Sequence, residues 1–292
     1  MELQVVTRKS ADARGPRIGV IIPTLNDVRI VQAICSIILR DPGNLTRIYV
    51  IDGGSRPEIV QLVERQLRPH DRLRSEPDQG IFDALNKGLD LIEEDIVGWI
   101  GSDDFYTRAV DFPAIVKAFD AENLDCCAYD LIFVDDGKTK RRTRAFAATL
   151  GNMRLGRHVQ HFSSFWRRAR IGATRFDLRY NIAADIDFFG RLALPEPPKT
   201  KLDHTVVTVG RLGGNSTKDL MRIVHSNVQV FHIFRKHMSA AGALFATLCK
   251  LSRKSFSQIT GRSYPVVDEL TDLVVKTRTP LDMAPLPNAR VR

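Results

Sequence analysis

Two adjacent carboxylates, Asp103 and Asp104, follow the apolar run Ile96 to Ile100 in the order Gly101-Ser102-Asp103-Asp104. A hard divalent cation takes oxygen ligands and keeps bonds to substrate phosphates, so aspartates at a strand end suit Mg2+ or Mn2+ held against a diphosphate. A metal so placed stabilises a departing nucleotide diphosphate as its charge grows. A solvated turn or a helix N-cap uses the same residue types. Asp52 closes a second apolar run in Val50-Ile51-Asp52-Gly53-Gly54-Ser55. Its glycines let backbone approach a ligand closely, which suits a nucleobase or ribose contact. A strand-to-helix turn, with Ser55 as N-cap of a helix opening near Pro57, fits the same residues.

Four further segments carry polar chemistry. In Ser75 to Gly88, SEPDQGIFDALNKG, the residues Asp83, Asn86 and Lys87 recur at helical spacing and would share one polar face. Ligand contact and simple solvation are both compatible with that face. In Ile182 to Leu192, IAADIDFFGRL, Asp185 and Asp187 lie two residues apart, and Asp187 suits a helix cap or a pair with Arg191. His161 precedes the aromatics of Phe162-Ser163-Ser164-Phe165-Trp166, where a hydrogen-bonded rim position competes with a metal or phosphate role. The glycines of Arg211-Leu212-Gly213-Gly214-Asn215-Ser216 suit either a plain loop or a flexible turn that closes over a diphosphate.

The elements that must position these residues are legible as periodicities. Ile18 to Pro23 is continuously apolar and β-branched, as in a strand buried on both faces of a parallel sheet. Ile30, Ile34, Ile37 and Ile38 form a helical stripe that ends near Asp41-Pro42-Gly43. A strand over Arg47 to Asp52 follows, then stripes at Ile59 to Leu67 and Phe82 to Ile92, then the strand Ile96 to Ile100. This alternation predicts an α/β fold with a doubly wound, mostly parallel sheet and flanking helices, binding its ligands at the carboxyl ends of the strands. Cys127 to Val134 and Val206 to Val209 read as later strands on the same sheet. Asp177 is the only acid between Lys138 and Tyr180, so that segment suits a phosphate site or an anionic surface. No acid occurs from Leu220 to Val267, and residues after Val275 read as a tail.

The whole chain has 292 residues, 43% of them hydrophobic, enough for one large core or two small ones. Its formal charge of +9 favours anionic partners such as nucleotide phosphates, anionic lipid or nucleic acid. Cys35, Cys126, Cys127 and Cys249 match neither a disulfide framework nor a CxxC metal site, which predicts reduced thiols. The N-terminal MELQVVTRKSADARG carries no apolar segment of signal-peptide length, so a cytoplasmic location is expected. No stretch reaches the roughly 20 apolar residues of a membrane span.

Taken in order, IIPTLN (21–26), VIDGGS (50–55), SEPDQGIFDALNKG (75–88), GSDD (101–104) and IAADIDFFGRL (182–192) resemble the family 2 glycosyltransferases of GT-A fold. The likeness runs roughly from Ile18 to Thr217 and is closest to the bacterial branch that builds exopolysaccharide, capsule or lipopolysaccharide chains. It implies a catalytic domain over 18–217 and a basic helical extension with a tail over 218–292. It further implies a nucleotide pocket shaped by Pro23, Thr24 and Asn26, with Asp52, Asp78, Asp83, Asn86, Lys87 and Asp103 on the nucleotide sugar. Mg2+ or Mn2+ would be held by Asp104 directly, with Asp103 and His161 beside it. Asp185 matches the family's catalytic base, since inverting transfer needs one carboxylate within reach of the acceptor hydroxyl. Many relatives have an acid where this chain has Gly53, which leaves the base of the donor, UDP- or GDP-linked, open.

The acceptor expected from the resemblance is a saccharide or a lipid-linked saccharide. Phe231, Phe234, Leu244, Phe245, Leu248 and Leu251 are interspersed with Arg222, Arg235, Lys236, Lys250, Arg253, Lys254 and Arg262. Such amphipathic helices suit peripheral contact at the inner face of an anionic membrane, or packing on the catalytic domain. Two other classes compete. A catalytically silent scaffold of a polysaccharide complex would share the motifs, and donor hydrolysis discriminates it. A nucleic-acid-binding protein would use the Lys138 to Arg144 cluster, with salt-sensitive oligonucleotide binding as its signature, although no nucleic-acid partner is expected. A dinucleotide oxidoreductase is disfavoured because no G-x-G-x-x-G follows the first strand.

Overall fold

The computed structural model describes residues 15–135, 138–193, 196–211 and 220–259. Strand β1 (Ile18–Thr24) is buried along its whole length, as its continuous apolar run requires. Helix α1 (Ile30–Ile38) turns Ile30, Ile34 and Ile37 into the core. Strand β2 (Thr46–Asp52), helix α2 (Pro57–Glu64), strand β3 (Arg72–Ser75), helix α3 (Ile81–Leu91) and strand β4 (Ile96–Trp99) complete the first half. The four strands lie in the order β3-β2-β1-β4, all parallel. Register places Thr24 beside Asp52, so the carboxyl ends of β1 and β2 are level. Arg56 occupies the N-cap position of α2, with a proline in the first turn, and the Ser55 hydroxyl is engaged elsewhere. Strand β3, with the sequence Arg-Leu-Arg-Ser, escapes an apolar-run search because it is an exposed edge strand.

The second half holds strand β5 (Phe105–Tyr106), helix α4 (Phe112–Glu122), strands β6 (Cys126–Asp135) and β7 (Lys138–Thr143) and the short helix α5 (Leu150–Arg154). A 3-10 turn (His161–Ser163), strand β8 (Ser164–Arg167), the one-turn helix α6 (Arg168–Ile171), helix α7 (Ala184–Ala193) and strand β9 (Thr200–Arg211) follow. The sheet continues β4-β8-β6-β9-β5, with β8 antiparallel to both neighbours and β6 parallel to β9. It curls: the Tyr106 N–H on the last strand donates to Ser36 Oγ of α1 at 3.0 Å. Alternate residues of β1 enter opposite cores, Ile21 with Trp99, Phe188 and Phe189, and Val20 and Ile22 with Phe112, Phe119 and Phe165. Phe188 stacks on Phe176 at 4.2 Å and Phe189 on Trp166 at 5.1 Å, which seats α7 against the sheet.

Helices α8 (Leu220–Arg235) and α9 (Ala240–Ile259) form a hairpin. Val230, Ile233, Phe234, Ala243 and Ala246 pack with Met153, Ala183 and Ile186, so the hairpin shares a core with α5 and α7. Gly156 has φ +62°, and a Cβ there would stand 2.3 Å from the carbonyl oxygen of Ala246, so only glycine admits α9 this closely. The four cysteines are free thiols. The Gly-Gly turn after Leu212 and the tail after Val275 lie outside the described residues.

Candidate active site

The carboxyl ends of β1 and β2 are joined by side chains. The buried Asp52 accepts at Oδ2 from the N–H of Gly54 (3.2 Å) and Ser55 (2.9 Å) and from Ser75 Oγ (2.6 Å), and at Oδ1 from Ser55 Oγ. Of the two roles open to Asp52, its contacts display the turn-holding one. Asn26, in the left-handed region at φ 51°, donates its N–H to Ser55 Oγ (2.6 Å) and accepts from the Arg56 N–H at its side-chain oxygen (2.9 Å). Pro23 and Thr24 lie in the buried end of β1, and the Thr24 hydroxyl is buried with no hydrogen-bond partner. It is an unspent donor at the strand end.

The helix α3 segment divides its polar residues. Asn86 faces inward and grips the Phe176 backbone from both sides, donating to its carbonyl (2.9 Å) and accepting from its N–H (2.7 Å). That bidentate bond explains its spacing without a ligand. Asp83 accepts from the Gln79 N–H (3.0 Å), and the Lys87 ammonium meets Glu76 (3.0 Å), Asp83 (3.5 Å) and the Pro77 carbonyl (2.8 Å). Asp78 accepts from the Gly80 N–H at Oδ1 (2.8 Å), while its Oδ2 fills the space where a Cβ of residue 53 would be, 2.5 Å away.

Asp103 and Asp104 leave the end of β4 into a ring of charge. Asp104 is buried, and Oδ1 accepts the N–H of Arg211 from β9 at 3.1 Å. The Arg211 guanidinium donates to the Asp103 carbonyl (3.1 Å) and to Gln32 Oε1 (2.6 Å). Arg29 is paired with Asp27 (2.8 Å) and reaches Asp103 at 3.7 Å, and Ser102 Oγ donates to Asp27 at 2.9 Å. Burial, then the neighbouring Asp103 charge, push the Asp104 carboxyl up to about 7. Burial also raises Asp103, with Asp27 adding to the effect while Arg29 and Arg211 oppose it.

A buried carboxylate pushed toward neutrality, with Arg29 and Arg211 already committed to other oxygens, is a site that a divalent cation would relieve. No three His, Cys, Asp or Glu side chains converge as a metal cage among the described residues. Two carboxylates plus substrate phosphates is nevertheless how small hard cations are commonly held, so Asp103 and Asp104 fit Mg2+ or Mn2+. Sequence reasoning missed Asp27, Arg29 and the long-range contacts of Arg211. Their only sequence signal was position, just after the first strand and at the end of the last.

Asp185 sits in the first turn of α7 with its Oδ2 3.5 Å from His161 Nδ1, and its Oδ1 accepts the Ile186 N–H at 2.9 Å. Burial opposes its ionisation, but the hydrogen bond and charge of His161, aided by His158, prevail and hold the carboxyl below its ordinary range. It is therefore an ionised acceptor at neutral pH. His161 Nε2 is buried without a partner. The structure thus sets His161 beside Asp185. Asp187 is wholly buried between Arg191 (2.8 Å) and Lys236 (2.8 Å), the ion-pair role open to it from sequence.

Strand β9 ties the two parts together. Thr208 donates its hydroxyl to the carbonyl of Phe162, next to His161 (2.7 Å), and Arg211 holds Asp104 (3.1 Å). These anchors lie three residue steps apart along the strand, about 10 Å.

Residues 19–174 match the model of glycosyl transferase family 2. The chain belongs to that family. This family 2 chain is 30% identical over 210 residues to a Mycobacterium tuberculosis PGL/p-HBAD biosynthesis glycosyltransferase, covering 69% of itself and 79% of the relative. Its fold matches S. aureus TarS 1–349 in complex with UDP-GlcNAc with a TM-score of 0.59 and 18% identity, over 84% of this chain and 74% of that one. It spans 45% of the longer S. aureus TarS chain. The mannosyltransferase PcManGT from Pyrobaculum calidifontis, in complex with GDP-Man and Mn2+, matches with a TM-score of 0.57 and 17% identity, over 91% and 81% of the two chains. The fold of the family 2 chain is therefore GT-A, as the ordered motifs imply.

On the hairpin of the family 2 chain, Phe234 is buried and Phe231 packs partly against the same core. Leu244, Phe245 and Leu248 of α9 are 54%, 56% and 54% exposed. No described helix is long and apolar enough to cross a membrane.

Proposed function

We propose that this protein transfers a sugar, with inversion, from a UDP- or GDP-linked donor to an acceptor hydroxyl in bacterial polysaccharide assembly. The observation that carries the reading is the spacing along β9. Arg211 holds Asp104, and about 10 Å back along the strand Thr208 holds the carbonyl next to His161, the neighbour of the ionised Asp185. The related mycobacterial glycosyltransferase and the likeness to chains in complex with UDP-GlcNAc or GDP-Man support it.

In this reading Thr24 and Asn26 line the nucleotide. Asp78, standing against Gly53, supplies the carboxylate that many relatives carry at that position, and Asp52 holds the turn beneath. Asp103 and Asp104 would hold Mg2+ or Mn2+, which when bound offsets the charge growing on the leaving diphosphate. Asp185 accepts the proton of the acceptor hydroxyl as its oxygen bonds to the anomeric carbon and the bond from that carbon to the diphosphate breaks. The test is thermal shift against UDP- and GDP-sugars with and without Mn2+, coupled to release of free nucleotide diphosphate. Stabilisation by one nucleotide class that chelator abolishes is the expected outcome. Indifference to every nucleotide sugar in Mn2+ would refute the reading.

A second reading concerns location. The exposed Leu244, Phe245 and Leu248, on a stretch of sequence that contains no acid, suit a cytoplasmic protein resting on an anionic leaflet where a lipid-linked acceptor is presented. Flotation with anionic vesicles at low salt is the test, and a protein that stays at the bottom of the gradient removes this reading.

A further inference from the structure

Helix α8 begins 46 residues beyond the end of the family match (220 against 174), yet it closes the backbone that carries Asp185. The side-chain oxygen of Gln229 accepts the N–H of Ile182 (3.2 Å) and of Ala183 (3.3 Å). Its Nε2 donates to Asn181 Oδ1 (2.7 Å) and lies 2.9 Å from His225 Nε2. Gln229 is buried, at 7% exposure. The N–H groups at a helix start have no partner within the helix and need an acceptor from elsewhere. Here α7 starts at Ala184, and the acceptor comes from a different helix. Seven residues along α8 and just past its end, the Lys236 ammonium meets Asp187 at 2.8 Å, so α8 grips α7 at two points that flank Asp185 in sequence.

We propose that Gln229 is a positioning residue for Asp185. By fixing the backbone two and three residues ahead of it, Gln229 sets the angle at which the carboxylate meets His161 and the acceptor oxygen. The inference rests on the reading of Asp185 as the base. Chain outside the family match then completes the active site, rather than only attaching it to a surface. A base displaced by about 1 Å loses much of its rate while the donor site, built on β1, β2 and β4, is untouched.

The experiment is UDP- and GDP-sugar hydrolysis by the full-length protein in Mn2+, with water as the acceptor, for wild type, Asp185→Asn, Gln229→Met and Gln229→Glu. Gln229→Met keeps the length and removes the acceptor. It is expected to lower kcat about tenfold and leave the donor KM within about twofold. Gln229→Glu restores an oxygen to the two N–H groups and recovers most of that loss. Amide exchange of Ile182 and Ala183 rises in Gln229→Met and not in Gln229→Glu. Should Gln229→Met fail to fold, His225→Ala, made at an exposed position beside the Gln229 amide, takes its place with an expected threefold or so loss in kcat. An unchanged kcat in the folded variant, with Asp185→Asn inactive, overturns the positioning role. An unchanged kcat in Asp185→Asn overturns instead the reading on which it rests.

Discussion

Replacing Asp104 with asparagine is expected to make the metal-free protein more stable while removing metal-dependent donor binding. Asp104 is 5% exposed, its carboxylate is met by backbone N–H groups of Arg211 and Gly101, and the nearby Arg29 pairs with Asp27 and Asp103. Its carboxyl, pushed up to about 7 by burial and by Asp103, keeps a proton that the unfolded chain has already released. Between about pH 4 and pH 7 the folded state therefore binds more protons than the unfolded one, and stability falls as pH rises through that window. The displacement is worth roughly 4 kcal/mol at most, and sharing of the effect with Asp103 reduces it to about 2 kcal/mol. Asparagine is neutral throughout and keeps an oxygen for the Arg211 N–H. In urea titrations with chelator, Asp104→Asn should gain about 2 kcal/mol at about pH 8 and close to nothing at about pH 4. Added Mn2+ with the preferred nucleotide should reverse the order, because it binds only the wild-type fold tightly. A variant no more stable than wild type at the higher pH, or one with an unchanged pH slope, would refute the reasoning.

Asp185→Asn should lower sugar transfer about 10²-fold with donor affinity preserved by calorimetry, and the acid limb of wild-type turnover should fall below the range of an ordinary carboxylate. Asp187→Asn strands Arg191 and Lys236 around a buried site and should cost about 3 kcal/mol in urea titration, whereas an inert but fully stable variant would make Asp187 the base. Asn86→Ala removes both bonds to the Phe176 backbone and should cost about 2 kcal/mol, with little change in donor affinity if its role is internal. Gly156→Ala drives a Cβ into the Ala246 carbonyl at a left-handed φ and should destabilise the hairpin by about 2 kcal/mol or more, read as a lower melting temperature.

Burial explains what was legible in the sequence. Strands β1, β2 and β4 and the stripes of helices α1 to α3 are visible because their residues face a core, and the core imposes the period. Strands β3 and β7 are edge or outlying strands rich in arginine and lysine, and water imposes no such pattern. The Asp103-Asp104 pair is readable as a strand-end site, but its surroundings are not. Arg211 lies 107 residues from Asp104, and nothing local encodes that contact. Asp83, Asn86 and Lys87 look equivalent by spacing, yet a backbone 90 residues away claims Asn86 alone. Gln229 is one polar residue in an amphipathic helix until its oxygen is seen on the N–H groups of Ile182 and Ala183.

The contact of Arg211 with Asp104 also sets an order of events during synthesis. The ribosome releases the Gly-Ser-Asp-Asp loop long before β9, the strand that inserts between β6 and β5 and caps Asp104. At translation rates of roughly 5 to 20 residues per second, the two carboxylates wait several seconds without that strand. The segment that carries Asp185 is held still later, when Gln229 and Lys236 emerge. A nascent chain thus carries strands β1, β2 and β4 well before it can fix the Asp185 carboxylate. Truncation anywhere before Lys236 yields a protein that lacks part of the grip on Asp185, and under the proposed function such partial products of this gene would be poorly equipped to spend donor sugar.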